Sequence, residues 1–310
     1  MLLRSTNFLI VGFTSVMLVA CRGDKAPSRA DSTASSAQAV TSSVPLPVNT
    51  GWEEIQAGPA LLLGVEDNPA MASVVKPMLN DSLLAREPAL NTDSLSGMSV
   101  ELFGRTGLIG SAQVASAVAP NAGEGCIAWP MMTLSGAGPK AWQVGFRKGF
   151  VTPLPLDSLE GMTPADSMSV TSDLARLASA VPAEGDTSFQ GLPFSVRKAY
   201  RATSGQQQLL IGDIVRKINE EANPREEHLL LIAERPRSGS QYSTVFHSRA
   251  TGSEEQVRTT DVLAAGRFVN GGRILLVVSF GYENGNRVAL IERMTDSQWR
   301  ISWRSAYTGC

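Results

Sequence analysis

The chain has 310 residues, a formal net charge of −2, a pI near 5.8 and 43% hydrophobic residues. A charge balance so close to neutral leaves no basic surface on average, which argues against nucleic acid as a partner. The apolar content suffices for one large core or two smaller ones.

The first twenty residues carry the parts of an export signal. Arg4 precedes an apolar run from Phe8 to Ala20, and no acidic residue accompanies it. That run is short of the roughly 18 to 20 residues a helix needs to cross a bilayer, so a cleaved signal fits better than a permanent span. It ends in Leu18-Val19-Ala20-Cys21, which resembles the lipobox of bacterial lipoproteins. The resemblance implies that residues 1–20 are a signal peptide, that the Cys21 thiol receives a diacylglycerol, and that the new amino terminus is acylated. Each buried methylene contributes about 0.8 kcal/mol and a single chain binds only marginally, so two or three chains make a lasting membrane anchor. A plain secretory signal or a buried N-terminal helix is the alternative. In such lipoproteins an Asp after the cysteine retains the protein at the inner membrane; Arg22 stands there instead. The expected address is therefore the cell envelope, at the outer membrane, facing the periplasm or the cell surface. The triplet Arg22-Gly23-Asp24 lies against the headgroups, where an adhesion role does not fit.

Residues 21–50 form the anchor and linker. From Lys25 to Val48 the chain is rich in Ser, Thr, Ala and Pro with no aromatic residue, and such a segment buries too little apolar surface to offset its ordering entropy. The rest divides into an α+β region over 51–205 and, over 206–310, a helix plus an antiparallel β-meander; the fold class expected is α+β. With Cys21 assigned to lipid, Cys126 and Cys310 remain in an oxidising compartment, and their pairing is the economical expectation. The bridge would close a loop of about 180 residues, worth roughly 4 to 5 kcal/mol as an upper estimate. Two unpaired buried thiols are the alternative. No Cys or His stands at metal-ligand spacing around either residue.

Between Gly51 and Pro120 the signals are mixed. Trp142, Val144, Phe146 and Phe150 alternate with other residues, the period-two pattern of a half-buried strand over 141–151. Thr163-Pro164 opens a helix, along which Val170, Leu174, Leu177, Ala178 and Val181 recur at helical spacing until Pro182. Ile211, Ile214, Val215 and Ile218 suggest a second helix over 206–222, ended by Asn223-Pro224. Strands follow at 228–233, 241–248 and 273–280. Asn284-Gly285 signals a tight turn, and strands at 287–293 and 299–304 complete the meander.

Residues Val262 to Val278 look like an FG-GAP or related propeller-blade repeat. Gly266, Phe268, Asn270, Gly271 and Gly272 match its loop, and Ile274 to Val278 its apolar strand. The family's loop carboxylates bind calcium, a hard cation that wants several oxygens. Here Arg267 stands where the first Asp belongs and the second is missing, so no calcium is expected. A fainter copy starts at Leu210-Ile211-Gly212-Asp213 and competes with the helical periodicity of the same stretch.

Catalytic motifs are incomplete. Ser73-Val74-Val75-Lys76 and Ser195-Val196-Arg197-Lys198 match Ser-x-x-Lys, but the accompanying Ser-Asp-Asn and Lys-Thr-Gly elements are missing. Gly104-Arg105-Thr106-Gly107-Leu108-Ile109-Gly110 lacks the strand, helix and acidic residue of a dinucleotide site. Glu220, Glu221, Glu226 and Glu227 read as a solvated helix end and loop. His228 and His247 fall on successive strands, where they could be cross-strand neighbours. No cofactor, metal or catalytic residue is assigned. The expected role is non-catalytic, structural or protein-interacting, with an envelope protein as possible partner; an envelope hydrolase using His228 or His247, or a small-ligand or cation-binding module, is the alternative.

Overall fold

The structure, a computed structural model, describes residues 61–75, 77–78, 95–119, 126–138, 140–183, 186–221, 223–239, 241–295 and 298–309. Cys21, the signal, the tether, Lys76 and Cys310 lie outside the described residues.

The first strands are β1 (Leu61–Val65), β2 (Asn68–Val75), β3 (Pro77–Met78), β4 (Ser99–Gly104), β5 (Gly107–Val118), β6 (Met131–Ser135), β7 (Val144–Arg147), β8 (Val151–Pro153) and β9 (Asp157–Ser158). Helix α1 (Pro164–Ala180) follows. The chain continues with β10 (Ser195–Ser204), β11 (Gln207–Ile218), β12 (Arg225–Pro236), β13 (Ser243–Ser253), β14 (Thr259–Phe268), β15 (Ile274–Tyr282), β16 (Gly285–Thr295), β17 (Gln298–Ser305) and β18 (Thr308–Gly309). The described chain is thus mostly β, in antiparallel sheets, with one α-helix.

The strands form three assemblies. β1-β2-β6-β5-β4-β7 close into a barrel; β13-β12-β11-β10-β9 make a five-stranded sheet; β3-β17-β16-β15-β14-β8, with β18 beside β16, make a seven-stranded sheet. Burial stacks them in layers. Leu62, Val74, Leu102, Met132 and Trp142 fill one cluster from the barrel strands. Leu61, Phe103 and Phe146 of the barrel pack against Phe268, Leu275 and Leu290 of the seven-stranded sheet. The other face of that sheet, through Leu276, Val278 and Ile291, meets Leu209, Ile211, Leu230 and Ile232 of the five-stranded sheet. The far face of the five-stranded sheet carries α1, with Val170, Leu174 and Leu177 over Leu210, Ile214, Leu229 and Leu231.

Helix α1 forms where its pattern indicates. The Thr163 hydroxyl accepts from the Asp166 amide at 3.2 Å and Pro164 occupies the first turn, which satisfies one orphan donor and costs none. It settles on the sheet at Gly212, where an added Cβ would lie 2.6 Å from a Leu174 methyl.

The helix expected over 206–222 is instead β11, paired along its whole length with β12. Residues 209–216 are all buried, because the strand is covered by α1 on one side and by the seven-stranded sheet on the other. A doubly covered strand is apolar at nearly every position, and such a run satisfies helical spacing by default. The division expected at 205/206 falls in the turn Gly205-Gln206 of the β10–β11 hairpin, with Gly205 at φ +61°.

The strand expected over 141–151 is two strands in different sheets: β7 belongs to the barrel and β8 pairs with β14. Between them Gly149 turns the chain at φ +81°. The turn expected at Asn284-Gly285 sits one residue earlier, since Tyr282 pairs with Gly285. Gly285 is required for another reason: a Cβ there would run into the Thr308 carbonyl and the Tyr307 ring beside β18. The strands expected at 228–233, 287–293 and 299–304 lie within β12, β16 and β17, and those expected at 241–248 and 273–280 overlap β13 and β15, beginning two residues and one residue before them.

Candidate functional site

Buried charge concentrates on the β11–β12 pair. The register runs without a shift, with Arg216 opposite Glu227 and Lys217 opposite Glu226. Alternation then sends neighbouring ion pairs to opposite faces of the sheet.

On the face toward the seven-stranded sheet lie Asp213, Glu226 and His228, all buried. His228 Nε2 is 2.6 Å from a Glu226 oxygen, and Nδ1 is 3.5 Å from Asp213 Oδ1, an ion-pair separation rather than a hydrogen bond. Burial alone would lower the imidazole pKa, but the two carboxylates outweigh it and hold the ring above its ordinary value. Burial likewise pushes Glu226 up, and its bonds to Lys217 and His228 reverse that, leaving it below the ordinary glutamate value. Asp213 is paired with Arg197. The β10–β11 register slips between Val196 and Lys198, so Arg197 is the bulged residue, turned toward Asp213 as bulges do. Arg197 also donates to the Thr260 carbonyl at 2.7 Å and so ties the two sheets together. Nearby, Asp261 takes Lys198 at 2.9 Å and Arg105 at 2.8 Å. Glu234 is the third such tie, accepting from Arg293 and from the Trp299 indole, each at 2.6 Å.

The opposite face carries Arg216, Glu227 and Arg249. Glu227, fully buried, accepts two bonds from Arg216, at 2.9 and 3.0 Å, and one from Arg249 at 3.0 Å. Arg249 also donates to the Pro182 carbonyl at 2.9 Å, and the Arg216 guanidinium lies 4.6 Å from the centre of the Phe194 ring. Both arginines line a cavity of about 550 Å³ at the C-terminal end of α1.

Both ring nitrogens of His228 face carboxylates, which makes this residue an ion-pair element of the fold. His247 pairs with Leu231, whereas His228 pairs with Ala250. The two are offset by three positions, and odd offsets point to opposite faces, so they are not neighbours. The Ser-x-x-Lys at 195–198 opens β10, and Lys198 is bound to Asp261 rather than to Ser195; Ser73 lies within β2. The glycine-rich stretch at 104–110 is the β4–β5 hairpin, whose Arg105 clamps the barrel to the Val262 carbonyl at 2.7 Å. Of the acidic residues expected to be solvated, Glu220 and Glu221 are exposed, while Glu226 and Glu227 are buried in strand β12. The Arg267 guanidinium donates to the Gly272 carbonyl at 2.9 Å, across the loop that leads into β15. Among the described residues no group of three or more His, Cys, Asp or Glu is placed to hold a metal ion.

Sequence reading missed Arg216 and Arg249 altogether and placed Asp213 in a helix, with a faint repeat copy as the competing reading. The usable signal was an ionisable residue inside an apolar run: Asp213 and Arg216 interrupt Leu209 to Ile218, and a charge in such a run is almost never buried unless paired.

Cys126 is held in a disulfide whose partner is outside the described residues. The next residue, Ile127, bridges Gly309 through two backbone bonds of 2.9 Å.

These features define a β-rich class: a barrel and two antiparallel sheets in layers, capped by one helix, with charge buried on both faces of one strand pair. No protein-family model matches the chain, and no match was found among curated proteins or solved structures.

Proposed function

We propose that this chain is a non-catalytic envelope lipoprotein, held to the membrane by lipid on Cys21, whose folded α+β body ends in an antiparallel β-meander and binds another envelope protein. The observation that carries the interaction role is the edge of the five-stranded sheet. β13 runs from Ser243 to Ser253 and is bonded to β12 along one side only, as the last strand in its order. An eleven-residue edge, on which the Arg249 carbonyl already accepts from Arg258, offers its remaining outward backbone groups to an extended segment of a partner, which would add as a further strand. The use of His228 within the fold favours this reading over a hydrolase. A photo-crosslinker at exposed Thr251, installed in cells, is expected to capture one envelope protein, and His247→Pro in the crosslinker-bearing chain, elsewhere on β13, is expected to abolish the capture. No specific adduct would remove the reading.

Its other parts have their own tests. The Ile127–Gly309 bridge supports a disulfide between Cys126 and Cys310, and non-reducing peptide mapping should recover that pair. The loop closed by Arg267 supports a degenerate repeat of the propeller-blade type over 262–278. Mass spectrometry of the mature terminus should find lipid on Cys21; an intact Met1 would overturn the anchor and the outer-membrane address together.

A further inference from the structure

The cavity at the end of α1 is built around an unbalanced charge. Arg216 and Arg249 share a single carboxylate, Glu227, and among the described residues no second carboxylate pairs with either arginine. The Arg216 side chain is 8% exposed, that of Arg249 9% and that of Glu227 0%, so one positive charge is left over in a place largely shut off from water. An unpaired buried charge is strongly destabilising. The donors are also in surplus. Two guanidinium groups carry ten N–H bonds, of which four go to Glu227 and Pro182, and Arg249 Nε has no partner at all. The C-terminal end of α1 offsets part of the excess, since a helix C-terminus carries roughly half a negative charge. It does not supply an anion.

Apart from the polar side chains of Ser179 and Gln190, the remaining wall of the cavity is made of apolar residue types, Val181, Pro182, Leu192, Pro193 and Phe194 with Ala178. Its volume of about 550 Å³ falls in the range of roughly 300 to 1,000 Å³ typical of small-molecule sites, which likewise join an apolar lining to a few polar groups. A single excess positive charge matches a single negative one, whereas a phosphate dianion would leave a negative charge beside Glu227. The planar guanidinium fork suits the two oxygens of a carboxylate.

We propose that this cavity is a binding site for a small monocarboxylate with an apolar body, held at its charged end by Arg216 and Arg249 and along its body by the 181–183 and 192–194 segments. This goes beyond the partner-binding role, which rests on the β13 edge, and either can fail without the other.

The test is calorimetric titration of the full chain in detergent with benzoate and octanoate, and with benzyl alcohol and inorganic phosphate as controls. Benzoate or octanoate is expected to bind, with the alcohol and phosphate at least about tenfold weaker. Arg249→Gln is expected to weaken the carboxylate by at least about tenfold, with folding followed separately by circular dichroism. Ser179→Trp provides a second arm: Ser179 is an exposed helix residue lining the cavity, so the indole would fill the space while leaving the core intact, and binding should be lost. Three results would overturn the proposal: no carboxylate binding up to roughly 10 mM, equal binding of alcohol or phosphate, or unchanged binding in folded Ser179→Trp.

Discussion

The two faces of the β11–β12 pair carry the same kinds of residue to different ends. Toward the seven-stranded sheet, Asp213 and Glu226 are answered by Arg197, Lys217 and the His228 ring, between packed layers. Toward α1, two arginines meet one glutamate beside a cavity. Adjacent residues, Glu226 and Glu227 on β12 and Arg216 and Lys217 on β11, supply both arrangements. The period of two sorts them, and what packs on each face decides whether charge is neutralised or left over.

That contrast can be broken most strongly at Glu227. Replacing it by Gln leaves two buried guanidinium groups without an anion, and the expected loss is about 3–5 kcal/mol, read from the midpoint of denaturant unfolding. If Glu227→Gln unfolds like the parent, the triad is not the buried charge cluster described. Next in size, Gly212→Val places a branched side chain against Leu174 on the helix face, and overpacking of this kind costs about 1–3 kcal/mol. Far-UV circular dichroism during melting should show the lower midpoint.

Smaller again, and confined to a pH window, is the effect of His228. Its folded pKa lies above its unfolded one, so its contribution is fully present below the unfolded value of about 6.5 and is lost as pH rises through the folded value. Stability of the parent should fall over that interval, and His228→Gln should flatten the fall; an unchanged slope would show that the ring is not protonated between its carboxylates. Glu226 acts with the opposite sign. Its folded pKa is lowered, so its contribution holds above about 4.3 and is lost as pH falls through the folded value. The smallest change expected is at the exposed pair Asp173–Arg176 on α1, 3.2 Å apart. Asp173→Asn should shift stability by less than about 0.5 kcal/mol, and so serves as the neutral reference for the buried substitutions.

Legibility in the chain followed the surroundings of each element. Helix α1 has one face on the sheet and one in solvent, so Thr163, Pro164 and the spacing of Val170, Leu174 and Leu177 read cleanly. Strands β12, β15 and β16 were legible as continuous apolar stretches bounded by turn residues, and β17 by the alternation of Trp299, Ile301 and Trp303. β11 was not, because cover on both faces erases the alternation. The barrel was not either: β1–β2 and β4–β5 are local hairpins, but closure joins strands far apart in the chain, as β1 joins β7. The site was legible only in fragments. His228 stood out as one of two histidines, whereas Arg216 and Arg249 look like ordinary strand arginines until β13 folds beside β12.

By itself the sequence determined the local matters: where α1 begins and ends and which segments favour extended backbone. Those depend on residues within a few positions of one another. Tertiary structure alone decided that 207–218 is a strand, that 144–153 divides between two sheets, and that arginines of β11 and β13, both bound to Glu227 of β12, share one cavity wall. Each of these is settled by what packs against a segment, and burial is a property of the assembled layers rather than of any stretch of chain.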